Sequence, residues 1–161
     1  MKVTVSQKNL PDWSGEVLGI GVMEGDIENQ LKTLDGFCDV DSLCRYIKAK
    51  DFSAKSGEII KIEFLNGSPE KIIFIGLGNA KELSINDLRE GACLASRSSI
   101  GSTGKIGLLF PWEPFDLDIA AQTVAESIRL SIFKDLRFSS DPKPNKSPQE
   151  LELIGMPENE S

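Results

Sequence analysis

A run of four apolar residues, Ile72–Ile75, leads directly into two glycines at positions 76 and 78. An uninterrupted apolar run of this length is typical of a strand that is covered on both faces, as in the middle of an α/β sheet. The two glycines permit a sharp turn of the backbone where a side chain would clash. The segment Lys71–Gly78 therefore predicts a central strand that ends in a glycine turn.

Gly76 and Gly78 also match the first two glycines of a dinucleotide-binding fingerprint. That fingerprint requires a third glycine at the start of a helix, so that the helix N-terminus meets the pyrophosphate. Position 81 is Lys, and the next helix begins no earlier than Ser84. No Gly-Lys-Ser/Thr follows, which excludes a phosphate loop of the Walker type. We therefore interpret the segment as structural and predict no cofactor-binding residue in it.

The size and composition of the chain fit one soluble globular domain. Its 161 residues suffice for a sizeable core, and 40% hydrophobic and 27% charged residues are ordinary values. The net charge of -7 disfavours nucleic acid as a partner, because phosphate binding needs clustered Lys and Arg. The sequence has neither an apolar run long enough to span a membrane nor the layout of a signal peptide. We therefore expect a cytoplasmic protein without a membrane or nucleic-acid partner.

The chain contains no histidine. This excludes Ser-His-Asp and Cys-His catalysis and every metal site that depends on imidazole ligands. The three cysteines, Cys38, Cys44 and Cys93, have irregular spacings and form no Cys-x-x-Cys pair. We therefore predict small buried or half-buried thiols rather than a zinc site or a disulfide framework.

Three groups of carboxylates are the remaining alternatives for a metal or catalytic site. Each lies beside a turn or at a predicted helix start, where acidic residues cap free N–H groups and complement the helix dipole. None has the neighbouring glycine and regular ligand spacing of a calcium loop. We favour capping and solvation, and so predict no catalytic or metal-binding residue, for all three groups: Glu24/Asp26/Glu28, Asp39/Asp41 and Asp116/Asp118.

Alternating strand and helix patterns run along the rest of the chain. The turn signal at Asn66–Pro69 predicts a hairpin, which makes the sheet mixed rather than purely parallel. Ser84 and Asp87 predict a capping box at the start of a helix. We expect an α/β fold of three layers, with a mixed, mostly parallel sheet between helices. The predicted strands cover about 2–6, 16–23, 58–65, 71–77 and 105–110, and the helices about 26–34, 41–47, 84–97 and 115–133.

The character of the sequence changes after Phe138. Ser139–Pro148 contains three prolines in ten residues and no apolar side chain, which is typical of a linker. Leu151, Leu153 and Ile154 predict one further short strand. We therefore divide the chain into a domain at 1–138 and a proline-rich linker at 139–161, and expect that the chain is part of a longer protein.

Four segments, in their order and spacing, resemble the N-terminal domain of the leucyl aminopeptidase (cytosol aminopeptidase) family, and especially its cyanobacterial or plant-like members. Ser127 departs from the pattern, because many members have glycine after the Ala-Glu of the long helix. The resembling segments are Phe52–Glu58, Lys71–Gly78, Leu88–Ala92, and Ala125–Glu126 with Leu136–Pro142.

The resemblance implies a macro-domain-like module at 1–138, with 139–161 leading to a catalytic domain that the chain lacks. The parent would be a homohexameric metalloaminopeptidase, with two divalent metals, manganese or zinc, in its C-terminal domain. The family's catalytic and metal-binding residues all belong to that domain, so none is carried over to a residue of this chain. The chain would then be non-catalytic and would contribute subunit contacts or shape access to the active site.

Two alternatives remain beside this interpretation. Macro-domain-like folds are best known for holding ADP-ribose, so a free-standing module would bind it with the loop after Gly78. Gly101–Gly104 is the nearest second loop, but it precedes a strand instead of following one. The other alternative is a purely structural assembly subunit.

Overall fold

The computed structural model describes residues 1–7, 10, 13–64, 69–137 and 148–156, with the side chains of 133–137 left out. Strands and helices alternate along this part of the chain. The strands are β1 (Lys2–Ser6), β2 (Val17–Met23), β3 (Ile59–Glu63), β4 (Lys71–Gly78), β5 (Lys105–Leu109) and β6 (Glu150–Ile154). The α-helices are α1 (Ile27–Leu31), α2 (Val40–Ala49), α3 (Ile85–Ser98) and α4 (Leu117–Arg137).

The six strands form a single sheet in the order β1-β6-β5-β2-β4-β3. All neighbouring strands are parallel except β3 and β4, which pair in the antiparallel direction as the predicted hairpin requires. The prediction of an α/β fold with a mixed, mostly parallel sheet is therefore confirmed. Most of the turn predicted between these two strands lies outside the described residues, which omit 65–68.

Helices cover both faces of the sheet. On one face, α3 and α4 pack over Ile73, Ile75 and Leu108. On the other face, α1 and α2 pack over Leu18 and Phe74. Since β2 and β4 are covered on both sides, their apolar runs carry no polar alternation. The three predicted layers are therefore present.

The helix boundaries follow local signals in the sequence. At the start of α3, the Asp87 carboxylate accepts hydrogen bonds from Ser84 N at 2.8 Å and Ser84 Oγ at 3.1 Å, so the predicted capping box forms. α1 continues as a 3₁₀ turn over Lys32–Leu34, and Gly36 then takes a φ of 87°. This glycine ends the helical segment, as predicted.

The prediction that Gly76 and Gly78 both belong to a turn is wrong for Gly76. It lies inside the strand, whereas Gly78, with a φ of 84°, takes the left-handed conformation at its end. A Cβ at position 76 would lie 2.8 Å from the carbonyl carbon of Ala54 and closer still to Lys55 O. Gly76 is therefore required because another backbone segment approaches the strand, and only Gly78 serves a turn.

Strand β6, predicted from Leu151, Leu153 and Ile154, is confirmed, and it lies inside the sheet between β1 and β5. These three side chains are at most 1% exposed. Residues 150–154, which the sequence analysis grouped with the linker, thus complete the sheet of the preceding domain. The boundary at residue 138 stays a prediction, because residues 138–147 lie outside the described part of the chain.

Candidate functional site

The segment 52–58 lies across β4 at Gly76. Gly76 N donates to Glu58 O at 2.7 Å, and Gly78 N donates to Ala54 O at 3.0 Å. Gly57 N donates back to Gly76 O at 3.3 Å. Two of the segments that carry the family resemblance, 52–58 and 71–78, are therefore in direct contact.

The carboxylate of Glu58 holds the bend of this segment. Its Oε1 accepts from Ser53 Oγ at 2.8 Å and from Lys55 N at 3.0 Å. Ala54, inside the bend, is fully buried at a φ of 62°, a conformation that L residues rarely adopt. The hydrogen bond from Ser53 is the main cause that lowers the pKa of Glu58 below its usual value. We therefore assign Glu58 a structural role.

We expect Glu58→Gln to lower the free energy of unfolding at pH 7 by less than about 1 kcal/mol, because the site is close to solvent. A lowered pKa in the folded state gives stability that is present above the unfolded-state pKa and lost as pH falls through the folded one. The difference between wild type and variant should therefore shrink below about pH 4. Urea unfolding followed by circular dichroism at pH 7, 5 and 3.5 measures it.

Glu113→Gln is the matched control for this prediction. Glu113 is exposed, and its carboxylate has no hydrogen bond or ion pair with other described residues. Its substitution should leave the urea midpoint unchanged at all three pH values. A Glu58→Gln effect that stayed constant from pH 7 to 3.5 would contradict the assignment.

The three acidic groups serve mainly as helix caps. Asp26 Oδ1 accepts from Asn29 N at 3.3 Å, and Asp116 Oδ1 accepts from Ile119 N at 3.1 Å. Of the two possible caps of α2, Asp39 is the one used. Its carboxylate accepts from both N and Oγ of Ser42, and these hydrogen bonds lower the pKa of Asp39.

Glu28, from the same set of acids, forms an exposed ion pair with Lys48 at 2.7 Å. The hydrogen bond between them lowers the pKa of Glu28 and raises that of Lys48. Caps and this pair thus occupy four of the acids, namely Asp26, Glu28, Asp39 and Asp116. In the ranges that the structure describes, no three His, Cys, Asp or Glu side chains gather where they could hold a metal ion.

Two clefts open between α1 and α2. One has a volume of about 310 Å³ and is lined by Gly25, Phe52 and Lys48 among others. Beside it lies a cleft of about 460 Å³ whose charged lining is mostly acidic. This sign of charge disfavours phosphates and other anions as ligands. The lining of the second cleft comprises Glu28, Lys32, Asp35, Cys38, Asp39, Val40, Asp41 and Cys44.

The cysteines are free and half-buried, as predicted. Burial is the largest cause that raises the pKa of the Cys38 and Cys44 thiols, and the neighbouring carboxylates add to it. A raised pKa keeps a thiol protonated and therefore weakly nucleophilic. Although Cys38 and Cys44 line the cleft, they lack the electrostatic surroundings of a reactive cysteine.

Both loops considered for ADP-ribose are closed by protein groups. After Gly78, Asn79 Oδ1 accepts from Lys81 N at 2.9 Å and closes a short 3₁₀ turn. At Gly101–Gly104, Thr103 N donates to the carboxylate of Glu16 at 3.3 Å. A carboxylate thus occupies the place where a phosphate would bind. The loop also lies at the N-terminal end of β5, whereas α/β sheets bind ligands at the carboxyl ends of their strands.

Trp112 is a residue to which the sequence analysis gave no role. Its buried Nε1 donates to Ile154 O at 2.8 Å, and its ring packs on Phe110 with centroids 5.5 Å apart. On the other side of β6, Gly155 N donates to Ser6 O at 2.8 Å. The end of β6 is therefore held from both sides. The sequence carries only a general indication of the Trp112 contact, because any buried indole N–H needs a hydrogen-bond acceptor.

A groove between α2 and β3 has an apolar lining and a volume of about 310 Å³. Tyr46 and Phe64 at its rim are 38% and 40% exposed. None of the helices in the described part of the chain is long and apolar enough to cross a bilayer.

Fold and site together define an acidic three-layer α/β domain in which one segment is held against the inner strand β4. Residues 19–142 match the N-terminal domain of the cytosol aminopeptidase family, and the chain belongs to this family. The resemblance seen in the sequence is therefore confirmed.

Similar proteins from cyanobacteria bear the name of the family. A probable cytosol aminopeptidase from one strain of Prochlorococcus marinus is 60% identical over 158 residues, which are 98% of this chain and 32% of that protein. A probable cytosol aminopeptidase from a Synechococcus species is 36% identical, with 98% and 32% covered. The chain thus spans about a third of the length of these relatives.

Solved structures show the same fold at low identity. A mutant of tomato leucine aminopeptidase superposes with a TM-score of 0.73 at 21% identity, over 99% of this chain and 33% of that one. The bottromycin maturation enzyme BotP superposes with a TM-score of 0.55 at 17% identity, over 86% and 27%. The macro-domain-like α/β architecture is therefore confirmed.

Proposed function

We propose that this chain is the non-catalytic N-terminal domain of a metal-dependent leucyl aminopeptidase, which removes N-terminal amino acids from peptides. The observation that carries the proposal is the match of residues 19–142 to the N-terminal domain of that family. The alignment with the Prochlorococcus relative includes 98% of this chain but only 32% of that protein, which agrees with the proposal. The peptidase chemistry then belongs to a C-terminal domain of the same protein, in the cytoplasm.

The parent enzyme would use two divalent metals, manganese or zinc, which polarise the scissile carbonyl and activate water. The residues described here do not fit such a centre, because their carboxylates are spread among caps and an exposed pair. In the described ranges no acidic cluster gathers for a metal. We therefore derive no catalytic step from this chain.

The role left for this domain is in subunit contacts of a homohexamer or in access to the active site. The exposed apolar side chains at the groove between α2 and β3, among them Tyr46 and Phe64, support a contact role. The ADP-ribose alternative has no comparable support, because Glu16 accepts a hydrogen bond from the Gly101–Gly104 loop and the larger cleft between α1 and α2 is mostly acidic.

Hydrolysis of leucine p-nitroanilide in the presence of Mn²⁺ or Zn²⁺ tests the proposal. We expect no release of nitroaniline by the 161-residue chain above the rate of the metal alone. The matched control is the full-length Prochlorococcus relative in the same buffer, which should turn over the substrate. Metal-dependent turnover by the short chain would contradict the proposal.

A calorimetric titration with ADP-ribose separates this proposal from the binding-module alternative. We expect no saturable heat at ligand concentrations up to the millimolar range. Micromolar binding would instead favour the alternative, and a variant with Glu16→Gln would then show whether the Gly101–Gly104 loop is the site.

A further inference from the structure

Strand β3 lies at an edge of the described sheet, where it pairs only with β4. Phe64, directly after β3, donates from its N–H to Glu70 O at 2.7 Å. Because hydrogen-bonding groups alternate along an antiparallel pair, the even-numbered residues of β3 use their backbone groups toward β4. The N–H and C=O groups of Lys61 and Glu63 therefore point outward, to the open edge of the sheet.

Charges of opposite sign stand two residues apart on this edge. Lys61 is paired with Ile73 and Glu63 with Lys71 of β4, so both charged side chains lie on the face that α3 and α4 cover. Glu63 Oε1 is 3.9 Å from Lys71 Nζ. Lys61 is exposed and makes no ion pair with other described residues. The charge of Lys61 is thus available to a partner at the edge.

On the opposite face of the sheet, the same edge is apolar. Ile62 and Phe64 line the groove between α2 and β3, together with Tyr46 of α2. The two aromatic side chains are 40% and 38% exposed. Aromatic residues are enriched in protein interfaces, and an open strand edge is a template for pairing with another chain. A partner that adds a strand to β3 would cover these side chains as well.

We propose that β3 pairs with β3 of a second copy of this chain, in the antiparallel direction and about a two-fold axis at Ile62. In this register Lys61 of each copy lies opposite Glu63 of the other, so two ion pairs form beside the backbone hydrogen bonds. A two-fold axis at Lys61 or at Glu63 would instead place two identical charges opposite each other, which is destabilising. The charge pattern of the strand thus selects one self-complementary pairing.

This pairing rests on the contact role proposed for the domain, and it names β3 as the surface and a second copy as the partner. Peptidase chemistry has no part in it. A 161-residue chain that failed to associate would therefore overturn the pairing, while the expected result with leucine p-nitroanilide would stand or fall separately.

Charge reversal tests the pairing in the 161-residue chain. Sedimentation equilibrium up to millimolar concentration should show a monomer–dimer equilibrium for the wild type. Lys61→Glu places two carboxylates opposite each other in both pairs, so we expect the Kd of the dimer to rise about tenfold or more. The swap Lys61→Glu/Glu63→Lys restores both pairs and should return the Kd to within about threefold of wild type.

Arg129→Glu is the matched control, because it changes the net charge equally at an exposed residue of α4. Its Kd should equal that of the wild type. Circular dichroism shows whether each variant is folded. If Lys61→Glu fails to fold, Glu63→Lys reverses the other member of the pair and should weaken the dimer to the same extent.

Amide hydrogen exchange of Lys61 and Glu63 is the second measurement. Both amides should exchange more slowly as the protein concentration rises, because they become hydrogen-bonded only in the dimer. A dimer in which these two amides exchange as in the monomer would use another surface, and this result overturns the proposal. A swap variant that associates no better than Lys61→Glu overturns it too. A chain that stays monomeric at millimolar concentration also does so, and leaves the C-terminal domain as the next candidate for this edge.

Discussion

Gly76→Ala is expected to lower the free energy of unfolding by about 3 kcal/mol, the upper end for overpacking a dense core. The added methyl group would meet the carbonyl carbon of Ala54 at 2.8 Å and Lys55 O at a shorter distance. These are backbone atoms of a segment that three hydrogen bonds hold to β4, so they have little freedom to move away. Urea unfolding at 25 °C, followed by circular dichroism, measures the loss.

Gly91→Ala is the matched control for this substitution. Its added methyl group would meet only side-chain atoms, Leu77 Cδ2 at 3.1 Å and Phe110 Cζ at 3.3 Å. Alanine also gains up to about 1 kcal/mol over glycine inside a helix. We expect the stability to stay within about 1 kcal/mol of wild type. Equal urea midpoints for Gly76→Ala and wild type would show that the 52–58 segment can move away from β4.

Local signals in the sequence predicted the elements that determine this fold. The apolar run before Gly76 identified a strand covered on both faces, and Ser84 with Asp87 identified the start of α3. The helical spacing in 115–133 predicted α4, which extends to Arg137. Such features depend on neighbours within a few residues, and a sequence contains those neighbours directly.

Contacts between distant segments could not be predicted from local sequence patterns. Gly76 was interpreted as a turn residue because nothing nearby in sequence shows that Lys55 and Ala54 cross the strand. β6 was predicted as a strand, but its place between β1 and β5 depends on pairing with residues 45 and 148 positions away, which no local pattern encodes. The burial of Glu152 was not predicted, because the alternation of glutamate and leucine over residues 150–153 is that of an ordinary half-buried strand, in which the glutamates are exposed.

In the candidate site, too, contacts between near neighbours in sequence were predicted and contacts between distant residues were not. Capping by Asp26, Asp39 and Asp116 was predicted from their positions at helix starts, and the structure shows each of these hydrogen bonds. The closure of Gly101–Gly104 by Glu16 was not predicted, because the two lie about 87 residues apart. The family, and with it the proposed function, was inferred from the order of four segments and not from the chemistry of individual residues. Two of these segments are in contact at Gly76.

Removal of β6 should have the largest effect of all. A chain that ends at Arg137 lacks four side chains that are at most 2% exposed: Leu151, Leu153, Ile154 and Met156. Burial of such side chains contributes about 1.5–3 kcal/mol each, so their loss approaches the entire stability of an ordinary domain. β1 would also lose its parallel partner, since in the described sheet it pairs only with β6.

We therefore expect residues 1–137 to show no cooperative thermal transition and no near-ultraviolet circular dichroism, although the sequence pattern placed a domain boundary at residue 138. The control is a chain that lacks only residues 158–161, which should unfold at the wild-type temperature. A cooperative transition in the 1–137 chain would mean that β1 and β5 can close the sheet without β6.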